Sequence, residues 1–543
     1  MALVKFSRKE FEKHVKITKE VEEKISMFGT PLESLDENEI CIEIFPNRPD
    51  LLSLQGYVNA LLAFIGKKTG LKQYKVNKPE KDYEVNIHHS VRDVRPFTAC
   101  AIVKNLKFDD EKIKEIMDAQ EKLHATLGRN RKKMAIGIYP LDKITLPITY
   151  GTRKPQEIKF IPLEADREMN AAEILKEHVK GKEYAHLLKD FQRYPVFVDA
   201  SGEVLSMPPV INSQKTGKVS ENTKDVFVEC SGFDFNTLKK TLNIIVTMLA
   251  DMGGEIYQMK LNYGKQEITP NLEPEKMKIS IEATNKLLGL ELKEKDIKAL
   301  IEKMGLGYEN GEALVPAWRT DILHEVDIIE DIAIAYGYDK FKEELPNVAT
   351  LGKEDKNERI KGKIADILAG LGMIEISSHH LLIKDEAKKL GQKVFIEAEK
   401  SRTEYSVLRE NLLCSALKAL SKNVDAEYPQ KIFEIGRVFS KDDKAETGIS
   451  EKEHLCIAIT PANFTEIKQV LDYLFPALGL ECKIEEPAAT PQNYIEGRTA
   501  RIIFEGKPIG ILGEIHPSVL KDWHLKMPLA VMEIEIDGMM GKF

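Results

Sequence analysis

The sequence holds no Cys-x-x-Cys pair: its six cysteines, Cys41, Cys100, Cys230, Cys414, Cys456 and Cys482, are scattered along the chain. That spacing fits neither a zinc site nor a disulfide framework, and it points to a reducing cytoplasm. No apolar run reaches the roughly eighteen residues expected of a membrane-spanning helix. The opening MALVKFSRKEFEKHVKI is charged throughout and has no apolar stretch of the signal-peptide kind, so neither secretion nor membrane insertion is expected. Internal repeats and low-complexity tracts are missing too. There is no excess of basic charge: 79 Lys+Arg against 87 Asp+Glu leave a net charge of −8. This argues against a surface coated for nucleic acid and leaves room for local basic patches.

What is present is an ordinary globular composition, 43% apolar and 31% charged, over 543 residues. Such a chain exceeds one core and predicts roughly three or four domains. Residues 1–85 contain EICIEIFP, a period-two strand, then NRPDLLSLQGYVNALLAFIG. There Pro49 fixes a turn, Asp50 can cap, and Leu51, Leu54, Val58, Leu61 and Leu62 recur at helical spacing. The charged KVNKPEKDYE reads as a linker into a block over 86–270, which closes in the apolar helix NTLKKTLNIIVTMLADMGG. Residues 271–345 read as a compact α+β module of strand, two helices, strand and helix. The polar, proline-bearing FKEELPNVATLGKEDKNE marks a boundary before a last mixed block, 350–543.

Three stretches carry candidate chemistry. In TDILHEVDIIEDIAIAYGYD, Ile322, Val326, Ile329 and Ala333 form one apolar stripe, and Asp321 is an N-cap candidate. Asp327, Glu330 and Asp331 project together from another face, with Cβ atoms about 5–6 Å apart. Oxygen-only ligands suit a hard cation such as Mg²⁺, but an acidic solvated helix face has the same pattern, and spacing leaves both readings open. LGRNRKK offers Arg129, Arg131, Lys132 and Lys133 as RNA phosphate contacts or as a solvated charge run, with His124 nearby as a pocket or structural residue. In DVFVECS, Glu229 and Ser231 fall at i and i+2, on one face of a strand.

VPAWRTDILHEVDIIEDIAIAYGYDKF resembles the signature of the small winged-helix-like domain of the phenylalanine–tRNA ligase β-subunit family. NRPDLLSLQGYVNALLAF resembles that family's N-terminal signature, and FEIGRVF with GEIHPSVL its C-terminal one. The resemblance spans essentially the whole chain, in the same order, and is of the archaeal and eukaryotic-cytosolic type.

It implies a multidomain α+β protein: an N-terminal module, an editing domain, the winged-helix-like domain and a C-terminal class II synthetase-like, catalytically inactive antiparallel-sheet domain. It implies a Mg²⁺ held by Asp321, Asp327, Glu330 and Asp331 and shared with an α subunit, in an (αβ)₂ heterotetramer that binds tRNA(Phe). ATP would be a substrate of the holoenzyme, used on the α subunit. An editing pocket would recognise the hydroxyl of mischarged tyrosine through Ser206, Glu229 and Ser231, with Pro208, Pro209 and Asn212 shaping its turn; the family often has Asp and Thr in place of Glu229 and Ser231.

Discrimination by a second site has a physical motive, since an apolar pocket rejects an added hydroxyl by only about a hundredfold. In the last block no glycine-rich strand leads into an arginine, and Arg437 sits too far into its strand to grip ATP. Arg409, Arg498 and His516 therefore read as structural or interface residues, with no synthetic catalytic residue in this chain. Two other readings stand beside this one: a tRNA-binding scaffold without active editing, and a Mg²⁺ phosphohydrolase built on the carboxylate helix.

Overall fold

A computed structural model describes residues 2–393, 396–399 and 401–540 of the chain, which divides into two compact units, Met1–Leu345 and Pro346–Phe543. The first unit begins with an antiparallel sheet whose middle strand, Glu39–Ile44, lies between Ala2–Ser7 and Leu32–Leu35. Ile40, Ile42 and Ile44 alternate into the core beneath helix Leu54–Phe64, which buries Leu54, Val58, Leu61 and Leu62. Ser53, rather than Asp50, caps that helix by accepting the Gly56 N–H at 3.1 Å. Asp50 is instead clasped by Arg48, whose Nε and Nη2 donate to its two oxygens at 3.0 and 2.8 Å.

An eleven-stranded sheet dominates the unit. The strand Val226–Gly232 is buried along its whole length, paired antiparallel with Phe97–Lys104 on one side and Met134–Pro140 on the other. Helix Phe235–Asp251 packs against it and carries Leu238, Leu242, Ile245 and Leu249 into the shared core. The expected limit at residue 85 falls inside a strand, because Glu84–Ile87 pairs in parallel with both Ile148–Arg153 and Glu255–Asn262. KVNKPEKDYE is thus part of the sheet's edge and approach, with Val76–Asn77 also paired to Glu255–Asn262.

The module that follows has three antiparallel strands, Glu275–Lys278, Glu312–Val315 and Gly307–Glu309, beside helices Ile281–Leu288, Glu294–Lys303 and Glu325–Tyr336. Ile297, Ile301, Ile328 and Ile332 join one apolar core with Leu61 and Ile244, so packing does not stop at residue 270. The acidic helix starts later than the sequence suggests: His324 is its N-cap and Asp327 completes the capping box. With that start, Val326 is 47% exposed, and Ile328, Ile329, Ile332 and Ala335 form the buried side.

In the second unit a seven-stranded sheet runs antiparallel except where Ile374–Glu375 meets Gln430–Lys441. Along Ile449–Thr460, Leu455, Ile457 and Ile459 join the core formed with helices Lys356–Gly370 and Phe464–Ala477. Cys456 and Ala458 point the other way, toward helix Leu413–Lys422. No helix among the described residues is long and apolar enough to cross a membrane.

Candidate functional site

A cavity of about 510 Å³ opens beside the strand Val226–Gly232. Helix Asp110–Ala125 supplies Ile113, Ile116 and Met117 to one wall, and Ala135, Ile136 and Ile138 of the adjacent strand supply another. Pro208 and Pro209 form a turn over it, and Asn212, in the short strand Ile211–Asn212 that follows, also lines it. At its inner end this mostly apolar space meets Glu229 and Ser206, each buried, with Ser206 directly opposite Asn212 in the ladder.

Glu229 Oε2 and Ser206 Oγ are both buried without a hydrogen-bond partner. The other carboxyl oxygen is engaged: Tyr139 shares its single hydroxyl proton between Glu229 Oε1 and Asn212 Oδ1, each 3.3 Å away. Burial pushes the Glu229 carboxyl up to about 8, against the opposing pull of the Arg95 charge. At neutral pH its free oxygen is therefore an O–H donor, and Ser206 can both donate and accept. The pair can satisfy one ligand hydroxyl, and an apolar ligand end would leave both groups orphaned, at about 1–3 kcal/mol each.

Ser231, two residues along the strand from Glu229, is held by Arg95. Its hydroxyl accepts from Arg95 Nε at 3.2 Å, and its carbonyl accepts from Arg95 Nη2 at 2.6 Å. It lines no part of the cavity, whereas Ser206 and Glu229 do. Sequence reasoning misses Tyr139, Gly137 and Arg95. A glycine interrupting the strand run MAIGIY is the signal for the first two, because glycine in a strand marks a close approach.

The basic run is divided in the same way. Arg129, Asn130 and Arg131 adopt consecutive positive φ values of 48°, 53° and 63°, a tight turn off the helix end that aims Arg131 inward. There it donates to Glu121 at 2.6 Å and to the Val210 carbonyl at 3.0 Å, and its guanidinium lies 4.4 Å from the Tyr184 ring centre. Arg131 is thus a strut of the cavity wall, not a free phosphate contact, while its chain neighbours Arg129, Lys132 and Lys133 are exposed. His124 is committed at both nitrogens: Nε2 accepts the Ile136 N–H at 2.8 Å, and Nδ1 faces Glu121 at 3.2 Å. Its burial, and with it the Arg131 charge, push its pKa down. The role is structural.

The four expected metal ligands do not converge. Arg319 donates to both oxygens of Asp321 at 2.8 Å and to Asp331 at 2.9 Å, so two of the carboxylates neutralise a buried guanidinium. Asp327 accepts the backbone N–H groups of Leu323 and His324, each at 2.8 Å. Glu330 stands on the exposed face. Among the described residues no three His, Cys, Asp or Glu side chains are placed to hold a metal ion. The donor set does not fit a Mg²⁺ held by all four.

Three arginines of the second unit, Arg409, Arg437 and Arg498, are also engaged internally. Arg409, 1% exposed, donates to Glu434 and Ser378 at 2.7 Å each. Arg498 pairs with Glu514 at 2.7 Å, and Arg437 with Glu451 at 3.0 Å and Glu453 at 3.1 Å. His516 caps helix Pro517–Asp522.

Residues 100–246, which hold the cavity, match the model of the B3/4 domain; 277–338 match the tRNA synthetase B5 domain, and 342–536 the phenylalanyl-tRNA synthetase beta chain CLM domain. A phenylalanine–tRNA ligase beta subunit of Thermococcus sibiricus is 40% identical over 499 residues, 90% of this chain and 88% of that one. The subunit so named in Archaeoglobus fulgidus is 38% identical over 529 residues, 95% of this chain and 94% of its own. The crystal structure of an N-terminal fragment of the phenylalanyl-tRNA synthetase beta subunit from Pyrococcus horikoshii superposes with a TM-score of 0.59 at 36% identity, over 62% of this chain and 99% of the fragment. The chain belongs to the phenylalanine–tRNA ligase beta-subunit family.

Proposed function

We propose that the chain works as the β subunit of a cytoplasmic (αβ)₂ phenylalanine–tRNA ligase and that its cavity hydrolyses tyrosine mischarged onto tRNA(Phe). In the holoenzyme ATP, phenylalanine and tRNA(Phe) give AMP, diphosphate and phenylalanyl-tRNA(Phe), with synthesis on the α subunit. In support, every arginine considered for ATP in the second unit is already paired with a carboxylate of the same unit. All six cysteines are free, in keeping with a reducing compartment.

The observation that carries the editing reading is the pair of unpartnered polar atoms, Glu229 Oε2 and Ser206 Oγ, at the end of an apolar cavity. A tyrosyl ring fits the apolar walls, and its hydroxyl accepts from the neutral Glu229 and donates to Ser206. A phenylalanyl ring displaces water from both and returns nothing, which supplies discrimination that a synthetic pocket lacks. The exposed Arg129, Lys132 and Lys133, which flank Arg131 of the cavity wall, meet the phosphates of the acceptor end. His124 has no free nitrogen to serve as a base, so the pocket's part is to hold the ester while water, or the tRNA's terminal ribose hydroxyl, completes hydrolysis.

Deacylation of tyrosyl-tRNA(Phe) by the αβ complex, wild type against Glu229→Ala, tests this. A loss of at least tenfold with phenylalanine-dependent pyrophosphate exchange intact is expected; equal rates would favour the scaffold without active editing.

A further inference from the structure

A second concavity, of about 330 Å³, lies in the first unit between helix Lys19–Met27 and the end of helix Glu325–Tyr336. Lys16, Lys24, Lys67, Lys303 and Lys340 surround it, against only two carboxylates, Glu20 and Asp339. None of the five ammonium groups is ion-paired among the described residues: Lys24 faces the Met27 sulfur at 3.8 Å, and Lys340 lies over the Tyr336 ring. Such a concentration stands out on a chain with a net charge of −8.

The plainest alternative is that the lysines offset helix dipoles, since helices Leu54–Phe64, Glu294–Lys303 and Glu325–Tyr336 all end here. The magnitudes do not balance. Three C-termini bring about −0.5 each and the N-terminus of Lys19–Met27 about +0.5, which leaves roughly two positive charges unanswered.

The lining also says what kind of anion fits. The floor is apolar, built from Val21, Phe64, Ile65 and Ile334. Lysine is a point charge suited to phosphate, and the Arg, Asn and Gln side chains that read base edges bidentately do not line this space among the described residues.

We propose that this lysine-rimmed concavity is a contact site for the RNA phosphodiester backbone, independent of base sequence. The identity of the RNA as tRNA rests on the function proposed above; the phosphate chemistry does not.

The test uses the αβ complex and a Lys16→Gln/Lys67→Gln/Lys303→Gln variant. Each lost phosphate contact removes about 0.7–0.9 from the slope of log affinity against log salt, so the slope should fall by about two to three. Affinity at moderate salt should drop about tenfold or more, equally for cognate and non-cognate tRNA. Phenylalanine-dependent pyrophosphate exchange should be unchanged, and its absence from the wild type would count against the ligase reading, not this one.

An unaltered slope with exchange intact overturns the proposal, as does a loss confined to cognate tRNA. Should the triple variant fail to fold, acetylation of lysines in the unmodified complex answers the same question. Protection of Lys16, Lys67 and Lys303 by tRNA is expected. Protection by millimolar inorganic phosphate and none by tRNA would overturn the RNA assignment in favour of a small free anion.

Discussion

Tyr139 reaches Glu229 across neighbouring strands, and it does so because the residue directly opposite Glu229 is Gly137. Tyr139 itself pairs with Phe227, two positions along, so its ring leans over the glycine to bring the hydroxyl within 3.3 Å of Oε1. A methyl group at 137 would stand 2.7 Å from that oxygen and nearer still to the tyrosine hydroxyl. The three residues therefore fix which carboxyl oxygen is occupied and which faces the cavity.

Under the proposed editing function, Gly137→Ala should consequently separate deacylation from synthesis. Overpacking of this kind costs about 1–3 kcal/mol and rotates one partner away. Deacylation of tyrosyl-tRNA should fall about tenfold or more, since a displaced Glu229 no longer meets the substrate hydroxyl, while pyrophosphate exchange stays at the wild-type rate. Unimpaired deacylation would mean that the Tyr139–Glu229 arrangement is irrelevant to the pocket.

Glu229 also makes a pH prediction. Its carboxyl is raised from an unfolded value near 4.5 to about 8 by burial. Between those values the folded chain holds a proton that the unfolded chain has released, so this group's contribution to stability is complete below about 4.5 and is lost as pH climbs toward about 8. Replacing it with glutamine, which does not titrate, should make the Tm difference between wild type and variant shift against the wild type over that interval. Deacylation should weaken above about pH 8 as the donor proton leaves. A Tm difference constant with pH would refute the assignment.

Much of this site was legible in the residues, and its exceptions share one cause. Strand DVFVECS and helix NTLKKTLNIIVTMLADMGG follow from local pattern and stand where pattern puts them. Ser231 shares a strand face with Glu229, yet Arg95, 136 residues earlier, takes its hydroxyl. Asp327, Glu330 and Asp331 do share a helix, but Arg319 draws Asp331 inward and Asp321 with it. Arg131 sits in a basic run whose left-handed turn points it the opposite way to its neighbours. Periodicity reports which side of one element a residue occupies; a long-range charge partner decides what that side faces.

Arg131 and its neighbours should for this reason respond differently to mutation. Arg131→Ala removes bonds to Glu121 and the Val210 carbonyl and leaves the wall of the cavity loose. It should cost about 2–3 kcal/mol in stability, with little effect on the salt dependence of tRNA binding. Lys132→Ala/Lys133→Ala should leave Tm within about a degree and lower the salt slope by about one to two. Thermal melts and filter binding over a salt series distinguish them, and the reverse pattern would put Arg131 on the RNA and its neighbours in the wall.

The Arg319 cluster bears on magnesium. Because Asp321 and Asp331 are held by a guanidinium and Asp327 by backbone N–H groups, chelation of Mg²⁺ should not shift the Tm of this chain. Arg319→Met should lower stability by about 3–5 kcal/mol, since it strands the buried Asp331 carboxylate and the partly buried Asp321. A Tm that drops on chelation and recovers with Mg²⁺ alone would show that the carboxylates do gather around an ion.

The buried pair in the second unit gives a cleaner test of whether its arginines serve ATP or architecture. Arg409 donates to Glu434 at 2.7 Å and to the Arg437 carbonyl at 2.7 Å, and a side chain at Gly436 would collide with its Nη2. Arg409→Met alone leaves Glu434 buried and charged and should cost about 3–5 kcal/mol, visible as lost soluble complex. Adding Glu434→Met removes that orphan charge, and swapping a whole buried pair for apolar residues is often close to neutral, so the double variant should recover most of the loss. Once the double variant is folded, pyrophosphate exchange should match the wild type if, as proposed, synthesis takes place on the α subunit. Exchange abolished in a well-folded double variant would place Arg409 on the nucleotide and return synthetic chemistry to this chain.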